Sequence, residues 1–181
     1  VGDHADKLEL VMYYDADLAG DRSDSKSTSG IILCLVWPCI FVPLSAISKE
    51  QISVAKSTPE SEIIAPDHGV SKEGIPAILL WSKLLGKLLQ TRVMEDNDAV
   101  IKMIVKGRSP NMRHVSRTHR VDLDWLFERL RSDPGISIRY VGTKEQIADI
   151  MTKGSFTAPE WKVLCNLAQI RYPNAESAGG D

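Results

Sequence analysis

An apolar run that reads as a buried strand, Leu10 to Tyr14, ends abruptly in Asp15 and Asp17 within LVMYYDADLAGDRSDSKSTSG, with Asp21 and Asp24 close behind. This stretch constrains the chain more than any other. Neighbouring carboxylates repel, and an ionised carboxylate is costly to desolvate unless it is paired or bound to a metal. A chain that ends a core strand this way must hydrate the acids, pair them or give them a cation.

Three functional readings of Asp15 and Asp17 compete with that of a solvated acidic turn. A calcium-binding EF-hand loop would put Asp15, Asp17 and Gly20 at positions one, three and six. Position five is then Ala19 and position twelve Lys26, so the bidentate Glu is missing and this reading fails. An Asp-x-Asp pair that holds a metal on a nucleotide-sugar diphosphate is the second reading, but the tripeptide is too short to be specific. The third is one arm of a carboxylate cluster completed from far along the chain.

The order of elements favours the third. Leu8 to Tyr14 reads as a strand, and Gly30–Val36 and Ile40–Leu44 flank Pro38 as a hairpin. Gln51–Ala55 reads as a further short strand. Ser57, Thr58, Pro59 and Glu60 form a helix start. Pro66, Gly69, Gly74 and Pro76 are expected to interrupt that helix before it resumes over Ala77–Leu89, with Ile78, Trp81, Leu85 and Leu88 at helical spacing. Thr91–Glu95 reads as a strand, Ala99–Val105 as a helix and Val115–Arg131 as one longer helix. Ile136–Val141 is the last strand. Thr143 is expected to cap a helix, and Ala158–Ile170 to form the terminal one before a disordered polar tail at 171–181. Strands first, then strands entered through helical crossovers, describe an α/β domain around a mixed sheet. One domain over residues 1–170 is expected.

In this order Asp96 ends a strand as Asp15 does, Glu62 lies in the first turns of a helix, and Asp149 lies on another. Adjacent strand ends and neighbouring helices can bring four such acids together, an arrangement that suits hard divalent cations acting on phosphate. Glu60 and Glu62 point about 200° apart on a helix, so only one can face the sheet edge. Glu60 suits a capping role.

Charge narrows the classes further. The 181 residues carry 22 basic and 24 acidic side chains, a net charge of −2, which weighs against gripping nucleic acid by bulk charge alone. A local patch remains: no acid occurs from Ala99 to Val121, while Lys102, Lys106, Arg108, Arg113, Arg117 and Arg120 accumulate there. The longest apolar run, GIILCLVWPCIFVPL, is broken by Pro38 and Pro43 and is shorter than the ~20 residues that span a bilayer, so no membrane partner is expected. No signal-peptide layout is present, and Val1 in place of Met suggests a segment of something longer. Cys34, Cys39 and Cys165 read as buried thiols in a reducing compartment rather than as a zinc site.

The stretches DADLAGDRSDSKSTSG, AISKEQISVAKSTPESE, EDNDAVI, SRTHRVDLDWLFERL and YVGTKEQIADIMTK occur in one order over roughly Leu8 to Lys153. Together they resemble the RNase H domain at the carboxyl end of copia-type retrotransposon Pol polyproteins. The resemblance implies an RNase H-like mixed five-stranded sheet, three antiparallel strands then parallel strands, flanked by helices. It implies hydrolysis of the RNA strand of RNA–DNA hybrids with two Mg2+ ions, Mn2+ being a substitute. Asp15 would bridge both ions, Glu62 and Asp96 would hold one, and Asp149 the other. Glu60 is the fallback for Glu62, Asp98 is a helix-start acid, and Asp17, Asp21 and Asp24 shape the turn. Lys26, Ser27, Thr28, Arg113, Ser116, Arg117, Thr118 and Arg120 would contact nucleic acid. The partners implied are the hybrid and the reverse transcriptase portion of the same polyprotein, in a cytoplasmic particle or the nucleus.

Some positions depart from the family pattern. Pro66, four residues after Glu62, would remove the hydrogen bond to the Glu62 carbonyl in a continuous helix, at ~3 kcal/mol. Leu18 replaces a usual Trp and Ile63 a usual Tyr, and the mobile His that many RNase H enzymes carry before the last Asp is absent. A catalytically silent RNase H-like module is therefore the alternative.

Overall fold

A computed structural model describes residues 7–20 and 23–171 and contains one five-stranded sheet in the order β3-β2-β1-β4-β5. β1 (Glu9–Asp17), β2 (Thr28–Trp37) and β3 (Ile40–Glu50) form an antiparallel meander. β4 (Gln90–Glu95) runs parallel to β1, and β5 (Ile136–Tyr140) parallel to β4. The expected mixed α/β sheet is therefore present. Asp21, and the tail from residue 172 on, lie outside the described residues.

Alternation along β1 builds a core on each face of the sheet. Leu10, Met12, Tyr14 and Ala16 join Ile63 and Ala65 of α1 (Thr58–His68), Val100 and Ile104 of α3 (Asp98–Lys106), and Leu126, Phe127 and Leu130 of α5 (Leu123–Ser132). Complete burial of a side chain such as Leu10 or Met12 stabilises by about 1.5–3 kcal/mol. On the other face, Ile32 and Cys34 pack with Ile147 and Ala168, beside α6 (Asp149–Thr152) and α7 (Ala158–Leu167).

Several elements differ from the sequence expectation. β3 continues from Ile40 to Glu50 rather than stopping at Leu44, and Gln51–Ala55 is not a strand. As an edge strand packed mainly from one side, β3 has a weak apolar pattern. It absorbs Pro43 at an irregularity opposite Leu33 and Cys34, where a missing N–H is tolerated. The Gln51 N–H bonds Ser27 O at 2.8 Å, and its side-chain amide donates to Ser29 Oγ and Ser61 O, both at 2.9 Å. These bonds end the strand and tie it to α1.

The helix after Ser57 is not interrupted either. α1 runs through Pro66 into a π-helical segment, Gly69–Gly74, and then into α2 (Ile75–Leu85). The wider turn restores backbone bonding beyond the proline: Gly69 N–H reaches Ala65 O and Pro66 O, and Ile75 N–H reaches Val70 O. Gly69 permits close approach to β1, since a Cβ there would lie 3.0 Å from Met12 Sδ. α2 ends at Gly86 (φ 68) instead of continuing to Leu89, and of Ile78, Trp81, Leu85 and Leu88 only Ile78 is buried.

The single helix expected over Val115–Arg131 is two, α4 (Val115–Thr118) and α5, separated where Arg120 adopts φ 58. Asp122 starts α5 by accepting the Trp125 N–H at 3.0 Å. Thr143 does not cap a helix: it opens a short 3-10 turn, Thr143–Glu145, with Gly142 at the cap position. α7 ends at Leu167 rather than Ile170. Cys34 and Cys165 are buried as expected, but Cys39 is exposed in the β2–β3 turn. Among the described residues no helix is long and apolar enough to cross a membrane.

Candidate active site

Parallel pairing of β1 and β4 sets the first two acids side by side. Tyr13 stands opposite Met94, so Asp15 and Asp96, two residues further along each strand, leave the sheet at the same level and on the same face. Glu62 reaches this rim from α1. Oxygens of Asp15, Glu62 and Asp96 all lie within 4.8 Å of one another. Asp15 and Glu62 are buried, and Asp96 is half-buried. Asp149, also buried, opens α6 beside them but stands outside that three-acid set; its carboxylate is held by Lys153.

Glu60, on the opposite side of α1, is engaged elsewhere. One of its oxygens meets His114 Nε2 at 3.1 Å and His119 Nε2 at 3.3 Å, and the other accepts the Lys56 N–H at 3.1 Å. It anchors the 109–120 segment to the start of α1, as Ser53 Oγ does by donating to Thr118 O at 2.8 Å.

The acids at the rim are electrostatically uncomfortable. Burial, then the charges of Asp15, Glu95 and Asp96, push the Glu62 carboxyl up to about 10. Burial raises Asp149 to about 6 against the pull of Lys153, and raises Asp15 against a hydrogen bond from Thr152. Glu62 Oε2 and Asp149 Oδ1 are buried, with no hydrogen-bond partner among the described residues. Carboxyl oxygens crowded together in this way fit a hard divalent cation, which takes oxygen ligands, replaces the proton that burial retains on Glu62 and removes the repulsion.

Four site residues are absent from the sequence reading. Glu95 is fully buried on the core face, and burial pushes its carboxyl up to about 8. Its only sequence signal was adjacency to Asp96. Thr152 donates to Asp15, and Lys153 binds Asp149. Their signal lay in DIMTK, where Lys153 follows Asp149 by four residues, one helical turn. Gln146 is buried and donates to Tyr14 O at 3.0 Å, fixing the approach of the last acid to β1.

The residues expected at nucleic acid fall into two groups. Arg113, Ser116, Arg117, Thr118 and Arg120 are exposed on the acid-free segment, and Arg108, Arg113 and Ser116 line a cavity of about 350 Å3. Lys26 is instead paired with Asp24 at 2.6 Å and Glu50 at 2.7 Å. Ser27 is buried and accepts the Ala19 N–H at 3.2 Å, and Thr28 opens β2. Asp24 shapes the turn by accepting the Lys26 N–H at 3.0 Å; Asp17 ends β1 half-buried, and Asp98 is an exposed first-turn acid of α3.

No protein-family model matches the chain. It is 30% identical over 149 residues to the retrovirus-related Pol polyprotein from transposon TNT 1-94 of Nicotiana tabacum, covering 80% of the chain. It is 31% identical over 150 residues to that from transposon RE2 of Arabidopsis thaliana, covering 81%. In each case the match spans only 10% of the relative's length. Among solved structures, LC11-RNase H1, isolated from compost by a metagenomic approach, superposes with a TM-score of 0.50 at 13% identity, covering 80% of this chain and 92% of the other. That likeness concerns the fold.

Proposed function

We propose, from the premise that the chain belongs to the retrovirus-related Pol polyproteins of transposons and has the ribonuclease H fold, that it hydrolyses the RNA strand of RNA–DNA hybrids. The observation that carries this reading is the convergence of Asp15, Glu62 and Asp96 at the sheet rim with Asp149 beside them. Asp15, Glu62 and Asp96 would hold one Mg2+, and Asp15 with Asp149 a second, with Mn2+ as a substitute. Bound there, such ions supply an activated water and neutralise charge developing on the phosphate. Asp15 would serve both ions, and it accepts a hydrogen bond from Thr152 that holds its orientation. Arg113, Arg117 and Arg120, with Ser116 and Thr118, would bind strand phosphates, which fix register without reading sequence. Lys26 and Ser27, on the turn after β1, and Thr28, which opens β2, would act chiefly by shaping that turn.

Placement of Glu62 with Asp15 and Asp96 supports an active nuclease over a catalytically silent module. The segment would work as one domain over residues 1–170, joined to the reverse transcriptase of a copia-type polyprotein, in a cytoplasmic particle or the nucleus. The test is a hybrid labelled on either strand and incubated with the chain and Mg2+. The RNA strand should be cut to products with 5′-phosphate and 3′-hydroxyl ends, while the DNA strand stays intact. An uncut RNA strand contradicts the proposal.

A further inference from the structure

Three of the four acids stand close enough to share an ion, whereas Asp149 stands outside that set and is paired with a lysine. Lys153, one turn after Asp149 in the chain, places its ammonium on Asp149 Oδ2. The other oxygen, Oδ1, is buried without a hydrogen-bond partner among the described residues. Lys153 is also within the field of Asp15 and Asp96. Its side chain is 39% exposed and lines a cavity of about 480 Å3 together with Thr143, Lys144, Phe156 and Glu160. The ammonium therefore has open space to move into, in a cavity also lined by Glu160, whose Oε2 accepts the Thr157 N–H and hydroxyl.

We propose that Lys153 is a built-in counter-cation of the acidic rim: it occupies the Asp149 carboxylate until a divalent ion displaces it. The inference rests on the metal-centre reading above and makes ion entry sequential. The first ion meets Asp15, Glu62 and Asp96, which need no rearrangement. The second has to compete with Lys153 for Asp149, so its affinity is lower by the strength of that contact. Lys153 is a positioning residue here; it acts on Asp149 and not on the substrate.

The experiment is a Mn2+ titration of the nucleic-acid-free protein, with free Mn2+ followed by electron paramagnetic resonance, for wild type, Lys153→Met and Lys153→Arg. Lys153→Met keeps the length of the side chain and removes its charge. It should tighten the second ion about tenfold, the scale of one competing site interaction, and leave the first unchanged. Lys153→Arg should titrate like wild type. A second-ion affinity that is unchanged or weakened in Lys153→Met, with the first ion still bound, overturns the role of Lys153 alone. So does a Lys153→Arg that behaves like Lys153→Met. Failure of wild type and Lys153→Met to bind any Mn2+ overturns both this role and the metal centre beneath it.

Discussion

Glu62→Gln should make the ion-free protein more stable at neutral pH, although it removes a proposed ligand. Burial and the neighbouring acids raise the Glu62 carboxyl from an ordinary 4.5 to about 10. Below 4.5 the group is protonated in both folded and unfolded chains and exacts no penalty. Above it the unfolded chain releases the proton while the folded one keeps it, so stability falls by about 1.4 kcal/mol per pH unit. From 4.5 to pH 7 the loss reaches at most ~3 kcal/mol for this group, and the slope continues toward pH 10. Gln is neutral at every pH and can still accept the Ala16 N–H that reaches Glu62. At ~2–4 °C per kcal/mol, thermal unfolding in EDTA at pH 7 should rise by up to about 10 °C in the variant and converge with wild type near pH 4.5. Mg2+ should close the gap at about a hundredfold excess over Kd and reverse the order near a thousandfold, because an ion that binds only the folded wild type stabilises it by ~2.7 and ~4.1 kcal/mol at those concentrations. A Glu62→Gln protein that is less stable than wild type in EDTA at pH 7, or a difference independent of pH, refutes this electrostatic account.

Gly30→Ala should destabilise by about 1–3 kcal/mol, seen as a lower denaturant midpoint. The added Cβ would lie 2.6 Å from Thr152 Cγ2 and 2.8 Å from Ala148 O and Met151 Cβ, pushing α6 and its Asp149 off β2. Pro66→Ala should stabilise by about 1–2 kcal/mol, seen as a higher midpoint, since a helix-interior N–H is restored while some packing of the buried ring is lost. Arg117→Ala and Arg120→Ala should each weaken hybrid binding in Ca2+ and lower the slope of log affinity against log salt by about 1. Lys26→Ala should leave that slope unchanged, because its ammonium already serves Asp24 and Glu50.

The rim was legible where periodicity and chemistry agree. Leu10 to Tyr14 is an unbroken apolar run because β1 is central and covered on both faces, so the break at Asp15 stood out. Asp96 was legible because a parallel partner strand ends at the same level, and the 200° separation on a helix singled out one of Glu60 and Glu62. β3 was cut short because its edge position leaves the polar half, Ser45 to Glu50, without an apolar rhythm. The break between α4 and α5 was hidden because Arg120 takes a left-handed conformation that local composition does not announce. Its cause is tertiary: His119 is buried against Glu60, 59 positions earlier in the chain. Glu95 and Thr152 were passed over because burial and a bond to Asp15, 137 positions away, leave little mark on neighbouring residues, whereas the four-residue spacing of Lys153 from Asp149 was a local signal left unread.

Single-turnover cleavage of an RNA–DNA hybrid in Mg2+ by wild type, Asp15→Asn and Asp96→Asn tests most directly whether this rim is a hydrolytic centre. Each substitution keeps shape and removes one charge from the pair that β1 and β4 bring together. Wild type should cleave the RNA strand and both variants should lose at least about 100-fold, more than a residue that merely supports a metal ligand costs. Wild-type rates in both variants would contradict a hydrolytic role for the rim.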